Sequence, residues 1–148
     1  MDDIGIGSIL IATDFSDRSA AAERMAVLLA TQNQAALHVV TAIEPIIGVE
    51  QGDEDAEEFA EFYQKLIRRA ETELQVRLAA WSEKKMVVKH HIEIGPRWRV
   101  ILQAAEAQNA GLIVLGRRHY DSDSPLGTTS HKVFLGSQHP VLFVPADR

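Results

Sequence analysis

The side chains of this 148-residue chain that could do chemistry gather in two places. Asp14 closes an apolar run, Ser8–Thr13, and opens the polar stretch Asp14-Phe15-Ser16-Asp17. A carboxylate at a strand end can accept hydrogen bonds from ribose hydroxyls or help to hold a metal ion. It can equally cap the helix that follows, and the residue types leave both roles open. The second place is the stretch from Gly116 to Ser130, which reads Gly-Arg-Arg-His-Tyr-Asp-Ser-Asp-Ser-Pro-Leu-Gly-Thr-Thr-Ser. A glycine directly after a strand lets backbone approach a ligand closely. Gly127-Thr128-Thr129-Ser130 at a helix start offers free N–H groups and three hydroxyls. With a helix dipole behind them, these groups make an anion site. The stretch lacks the lysine of G-x-x-x-x-G-K-[ST] and is not G-x-G-x-x-G. The plain alternative is a strand–loop–helix junction closed by a Thr/Ser cap.

Other chemistries find less support. With no cysteine there is no disulfide, thiolate metal site or cysteine nucleophile. No two of the six histidines stand at i, i+4. His90 and His91 are strand neighbours whose side chains point to opposite faces, so no histidine metal site is expected. His119 is an exposed loop residue or a sensor of phosphate charge. Arg97-Trp98-Arg99 is read as a tryptophan covering the sheet between two solvated arginines, with clasping of a phosphate or stacking on a base as the alternative. No G-x-S-x-G elbow and no positioned base accompany the loop serines. The net charge of −6 and pI near 5.5 argue against a general binder of nucleic acid or of anionic membrane. The charge is uneven, however. Residues 50–61 hold seven acids and no base, read as a solvated loop and first helical turn, whereas residues 84–118 hold seven bases and two acids. A locally positive face of that size suits one phosphorylated small molecule.

These residues need elements to position them. Ser8–Thr13, Ala36–Ile43, Met86–Ile94, Leu112–Leu115 and Val141–Val144 read as strands, and the unalternating ones as strands covered on both faces. Met86–Ile94 alternates in part, which fits a strand near a sheet edge. Helices are expected after the capping residues Asp14–Asp17 to about Thr31, from about Asp55 to Lys84, from Gly95-Pro96, with proline at an early position, to Asn109, and over Thr128–Leu135 before Gly136. The second carries Phe59, Phe62, Tyr63, Leu66, Ala70, Leu74, Leu78 and Trp81 as a stripe of core residues. Strict strand–helix alternation predicts an α/β protein with a three-layer, doubly wound, five-stranded parallel sheet. Ligands of such sheets bind beyond the C-terminal strand ends at the topological switch point. One domain spanning residues 1–148 is expected at this length. No apolar run reaches the roughly 20 residues of a membrane span, and the acidic start lacks the basic residues of a signal peptide, so the expected location is the cytoplasm.

In order along the chain, Ile9-Leu10-Ile11-Ala12-Thr13-Asp14-Phe15-Ser16, Gly95-Pro96, Leu112-Ile113-Val114-Leu115-Gly116-Arg117-Arg118, Leu126-Gly127-Thr128 and Pro140-Val141-Leu142-Phe143-Val144-Pro145 resemble the universal stress protein family. The resemblance implies a Rossmann-like fold of the adenine-nucleotide alpha-hydrolase type, a homodimer through the last strand, Val141–Val144, and a place in stress response or signalling. One branch of the family binds ATP and carries G-x2-G-x9-G-[ST] after the fourth strand; another does not. Here His119 stands at the second glycine, and seven residues, Tyr120–Leu126, separate it from Gly127. Carried over by position, Ala12 and Asp14 border the adenosine and the backbone of Ala42 meets adenine. Leu115 and Gly116 lie near ribose and phosphates, His119 enters the shortened loop, and Gly127, Thr128, Thr129 and Ser130 hold the phosphates. The implied ligand is ATP, ADP or AMP, with magnesium as a candidate companion. Turnover is expected to be slow at most. A scaffold without nucleotide, acting through dimerisation and protein partners, is the alternative, and an ATP-splitting enzyme with a second substrate is the third.

Overall fold

The computed structural model describes residues 6–45, 56–117 and 127–147. Five strands form one sheet: β1 (Ser8–Ala12), β2 (Ala36–Ile43), β3 (Val88–Ile94), β4 (Leu112–Arg117) and β5 (Val141–Pro145). Their spatial order is β3-β2-β1-β4-β5 and every neighbouring pair is parallel. Four helices join or flank them: α1 (Ala20–Asn33), α2 (Ala56–Trp81), α3 (Arg97–Gln108) and α4 (Thr128–Gly136).

Side-chain alternation along the strands builds two cores. Ile9 and Ile11 of β1 face one side with Leu37, Val39, Val114 and Val144, where Ala22, Ala26 and Ala30 of α1 and Leu74 of α2 cover them. Leu10 faces the other side with Val40, Ile113 and Leu115, beneath Val100, Ile101, Ala104 and Ala105 of α3 and Val133 of α4. The result is the three-layer doubly wound sheet that the strand–helix alternation predicts. Edge strand β5 is apolar on both faces because both are covered: Leu142 and Val144 join the first core, Val141 and Phe143 the second. The partial alternation of β3 matches its place at the other edge, where Lys89, His90 and His91 are exposed.

Several boundaries differ from expectation for identifiable reasons. A 3-10 turn, Asp17–Ser19, precedes α1, so the helix begins at Ala20. Pro96, expected at an early position of the third helix, is the residue just before α3, with φ −57° and ψ 133°. Helix α4 includes Gly136, and Ser137 ends it in an extended conformation. Helix α2 is buried over only part of its length. Ala70 and Leu74 are buried, and Leu78 and Trp81 pack on the first core, but Phe59, Tyr63 and Leu66 are half-buried and Phe62 is 44% exposed. The helix has 26 residues. At the rise of an α-helix it extends about 39 Å. Strand β2, the longest of the sheet at 8 residues, is shorter by a third. Its extended backbone spans roughly 26 Å. The first turns of α2 therefore run past the sheet that would cover them.

Candidate functional site

Strands β1 and β4 lie side by side, and the chain winds away from them in opposite directions, so the sheet has its switch point between their C-terminal ends. A cleft of about 450 Å³ opens there. Its floor is made by Ala12 and Thr13 at the end of β1, Val40 and Ala42 of β2, Ile101 of α3, and Leu115 and Gly116 of β4. Its rim carries Asp14, Arg18 and Ser19 from the β1–α1 connection, Glu44 after β2, Arg97 at the start of α3 and Arg117 at the end of β4. Gly127, Thr128, Thr129 and Ser130 close the far side. Nine of the ten residues singled out in the sequence thus border one cleft: Ala12, Asp14, Ala42, Leu115, Gly116, Gly127, Thr128, Thr129 and Ser130. The tenth, His119, lies outside the described residues with the rest of 118–126.

The two glycines serve different ends. Gly116 does not follow β4 but lies within it, in register with Val144. A Cβ at Gly116 would stand 3.1 Å from the Arg18 carbonyl oxygen and 3.4 Å from Ser19 Cα. The missing side chain admits the 3-10 turn, an approach of chain to chain that the sequence reading did not foresee, while Gly116 also borders the cleft. A Cβ at Gly127 would meet nothing within 4 Å among the described residues. Gly127 is also the residue before α4, with φ −64° and ψ 154°, and no described side chain caps that helix. Thr128, Thr129 and Ser130 form its first turn instead of capping it, and the first backbone bond is donated by His131 N–H to the Gly127 carbonyl. The N-terminal amides of α4 therefore border the cleft without a side-chain cap, and the positive end of the helix dipole lies there with them.

Asp14 shapes the opposite wall. One carboxylate oxygen, Oδ1, accepts the Ser16 N–H at 2.9 Å and the Ser19 hydroxyl at 2.9 Å. Asp14 thus ties the turn and borders the cleft, but it is not the helix cap, since Ser16 and Ser19 stand at the N-cap positions and no described side chain caps either helix. Burial pushes its pKa up, but the Ser16 and Ser19 hydrogen bonds and the nearby Arg97 charge outweigh that effect and hold the carboxyl below its usual 3.8.

Arg18 is among the cleft residues that the sequence reading missed, whereas Arg97 stands where its alternative role, clasping a phosphate, requires. Arg97 borders the cleft, 3.9 Å from Glu44, rather than merely being solvated, and Arg18 and Arg117 join it. The available signal was positional, since all three stand at or just beyond C-terminal strand ends or at the helix start facing them. Trp98 packs on the second core, as its expected covering role requires, with the Lys132 ammonium 5.1 Å from its ring centre. Elsewhere, exposed His91 meets Glu93 at 3.3 Å, and His38 is buried within β2. Among the described residues no three histidine, aspartate or glutamate side chains come together as a metal site would require.

Fold and cleft together define a doubly wound parallel α/β protein with a mixed-charge crevice at its switch point. The chain belongs to the universal stress protein family, whose model matches residues 5–145. It is similar to the universal stress protein UspA from Lactobacillus plantarum, at 21% identity and a TM-score of 0.81, over 95% of this chain and 98% of that one. A universal stress protein from Archaeoglobus fulgidus superposes with a TM-score of 0.68 at 20% identity, over 93% and 97% of the two chains. A universal stress protein solved in complex with cAMP superposes with a TM-score of 0.61 at 20% identity, over 95% and 98%. At these identities the likeness establishes the fold alone. No curated protein matches the chain by sequence. Among the described residues no helix is long and apolar enough to cross a membrane.

Proposed function

We propose that this chain is an adenine-nucleotide-binding module of its family, acting in stress response or signalling in the cytoplasm, with ATP, ADP or AMP as its ligand. The observation that carries the reading is the start of α4, which no described side chain caps and where no described atom crowds Gly127, placed across one cleft from Asp14. Phosphates would meet the Gly127–Ser130 amides and hydroxyls and the cleft arginines. Asp14 would accept the ribose hydroxyls, and the base would lie against the backbone of Ala42 above Val40 and Ile101. At about 450 Å³ the cleft has the size of an ordinary small-molecule site. A relative that is solved with cAMP supports an adenine nucleotide as the ligand class. Magnesium fits as a companion. It is commonly held by one or two carboxylates plus substrate phosphates, and Asp14 supplies such a carboxylate.

Binding, rather than turnover, is the proposed output. No described histidine borders the cleft, and a carboxyl held below its usual range, as Asp14 is, makes a poor general base. Hydrolysis would be slow at most.

A second reading, a dimeric scaffold, draws on a separate observation. Phe134 and Leu135 on the helix before edge strand β5 are 64% and 68% exposed. Exposed apolar groups beside an open strand edge favour pairing of two copies. Titration calorimetry with ATP, ADP and AMP, with and without magnesium, separates the readings, and sedimentation of dilute protein tests the dimer. No heat at millimolar nucleotide would leave the scaffold; a clean monomer would count against β5 pairing.

A further inference from the structure

Phe15, beside Asp14, has a φ of 62°. This left-handed conformation is costly for an L-residue with a Cβ. A closed circuit of hydrogen bonds holds it there. The Phe15 N–H donates to Thr13 Oγ1 at 2.9 Å, and the Thr13 hydroxyl donates to Glu23 Oε2 at 3.0 Å. Arg77 Nε donates to Glu23 Oε1 at 3.0 Å, and Arg77 Nη2 returns to the Phe15 carbonyl at 3.1 Å. The Arg77 guanidinium also lies 5.1 Å from the centre of the Phe15 ring. A further bond, from Nη1, goes to Glu73 at 2.6 Å. Glu23 is buried, and Thr13 is pinned independently by its N–H to the Val40 carbonyl and by the Thr41 hydroxyl to its own carbonyl. The member of the circuit that comes from α2 is Arg77.

We propose that Arg77 is a positioning residue for the cleft: from α2 it locks Phe15 in the left-handed conformation that fixes where Asp14 stands, and so couples ligand binding to the seating of α2. The proposal rests on the reading that Asp14 contacts the ligand. The geometry requires a planar fork, since one side chain serves Glu23, Glu73, a backbone carbonyl and an aromatic face at once. Lysine, a single point charge, cannot do this. The coupling is reciprocal, because a ligand that favours the locked turn must also favour seated α2.

The test compares Arg77→Gln with Glu73→Gln, which loses the outer ion pair but keeps the bonds to Phe15 and Glu23. ATP–magnesium affinity is measured by calorimetry and exchange of the Ser16 amide, which donates to Asp14, by NMR. Arg77→Gln is expected to weaken ATP about tenfold, equivalent to about 1.4 kcal/mol, and to speed Ser16 exchange. Glu73→Gln should stay within about twofold of wild type in both. Both changes are required in Arg77→Gln: a folded variant with wild-type affinity, or with wild-type Ser16 exchange, overturns the proposal. Should wild type bind no nucleotide, the reading of the cleft fails, and Ser16 exchange alone decides whether Arg77 positions Asp14. Should Arg77→Gln not fold, wild type supplies the test. Saturating ATP must then slow amide exchange in α2 around residues 74–78, and unaltered exchange there overturns the coupling.

Discussion

Replacing Gly127 by valine isolates the end of the cleft where the proposed reading puts the phosphates, because the described residues leave room for the new side chain. No atom of the described residues lies within 4 Å of a Cβ built there, and the backbone, at φ −64° and ψ 154°, suits any L-residue. The fold should register little. Loss of glycine freedom in the unfolded chain favours the variant by about 0.4–1 kcal/mol, and the poorer helix-capping of valine opposes it by a similar amount. The melting temperature should move by no more than about 4 °C. A ligand would register far more, since a branched side chain beside the first amides of α4 holds phosphate oxygens away. One lost charged hydrogen bond is worth about 1.5–3 kcal/mol, or roughly 10- to 150-fold in affinity. Calorimetric titration with ATP, ADP and AMP reads the binding, and thermal unfolding reads the fold. Affinity unchanged from wild type would put the phosphates elsewhere. A large fall in melting temperature would show that the glycine serves the fold, and the site argument from open space would lapse.

Gly116→Ala should behave in the opposite way, because its Cβ would press on the Arg18 carbonyl at 3.1 Å. Urea unfolding should show a loss of about 1–3 kcal/mol, and wild-type stability would contradict the account of the 3-10 turn. Along α2, Leu74→Ala should cost about 2–5 kcal/mol, whereas Phe62→Ser, on the overhanging end, should stay within about 0.5 kcal/mol; equal losses would mean that the first turns of α2 are covered after all. Burial, with the Lys89 charge beside it, lowers the pKa of His38 below the usual 6.5. Well above pH 6.5 the residue is neutral in both folded and unfolded chains. Below it the unfolded chain takes the proton first, so stability should fall with pH from 6.5 down to the lower folded value. His38→Gln should flatten that slope in urea titrations, and an unaltered slope would reject the assignment.

The layers of the fold could be read in the sequence because each strand's periodicity reflects what covers it. β1 and β4 lack alternation because helices cover both their faces, and β3 alternates in part because it is an edge. The cleft could be read because its floor and far wall belong to strand ends and a helix start that local patterns mark. What escaped depended on distant geometry. No local signal tells that Gly116 sits inside β4 because a turn from far earlier in the chain, at Arg18 and Ser19, presses on it. Nor does any periodicity show that α2 outruns the sheet, because its apolar stripe continues unchanged into turns that are only half-buried among the described residues. Phe15 in a left-handed conformation breaks the rule that reserves such positions for glycine, and Arg77, distant in sequence, supplies part of what holds it.

The charge pattern is compatible with the proposed binding of an anion by an acidic protein. The net charge of −6 repels an approaching phosphate at long range. At physiological ionic strength, however, charges farther apart than about 8 Å are largely screened. What a bound phosphate feels is the local set: Arg18, Arg97 and Arg117, the dipole of α4, and the acids Asp14 and Glu44. The acids are already engaged, Asp14 with Ser16 and Ser19 and Glu44 with Arg97. The Arg97–Glu44 pair is 3.9 Å long and about half exposed on both sides. Such pairs contribute about 0–1 kcal/mol, so Arg97 gives up little by turning to a ligand. On the proposed reading, Arg97 would therefore exchange a weak internal partner for a stronger external one. In that exchange Asp14 would keep its turn, and the arginines would supply the charge that the protein as a whole lacks.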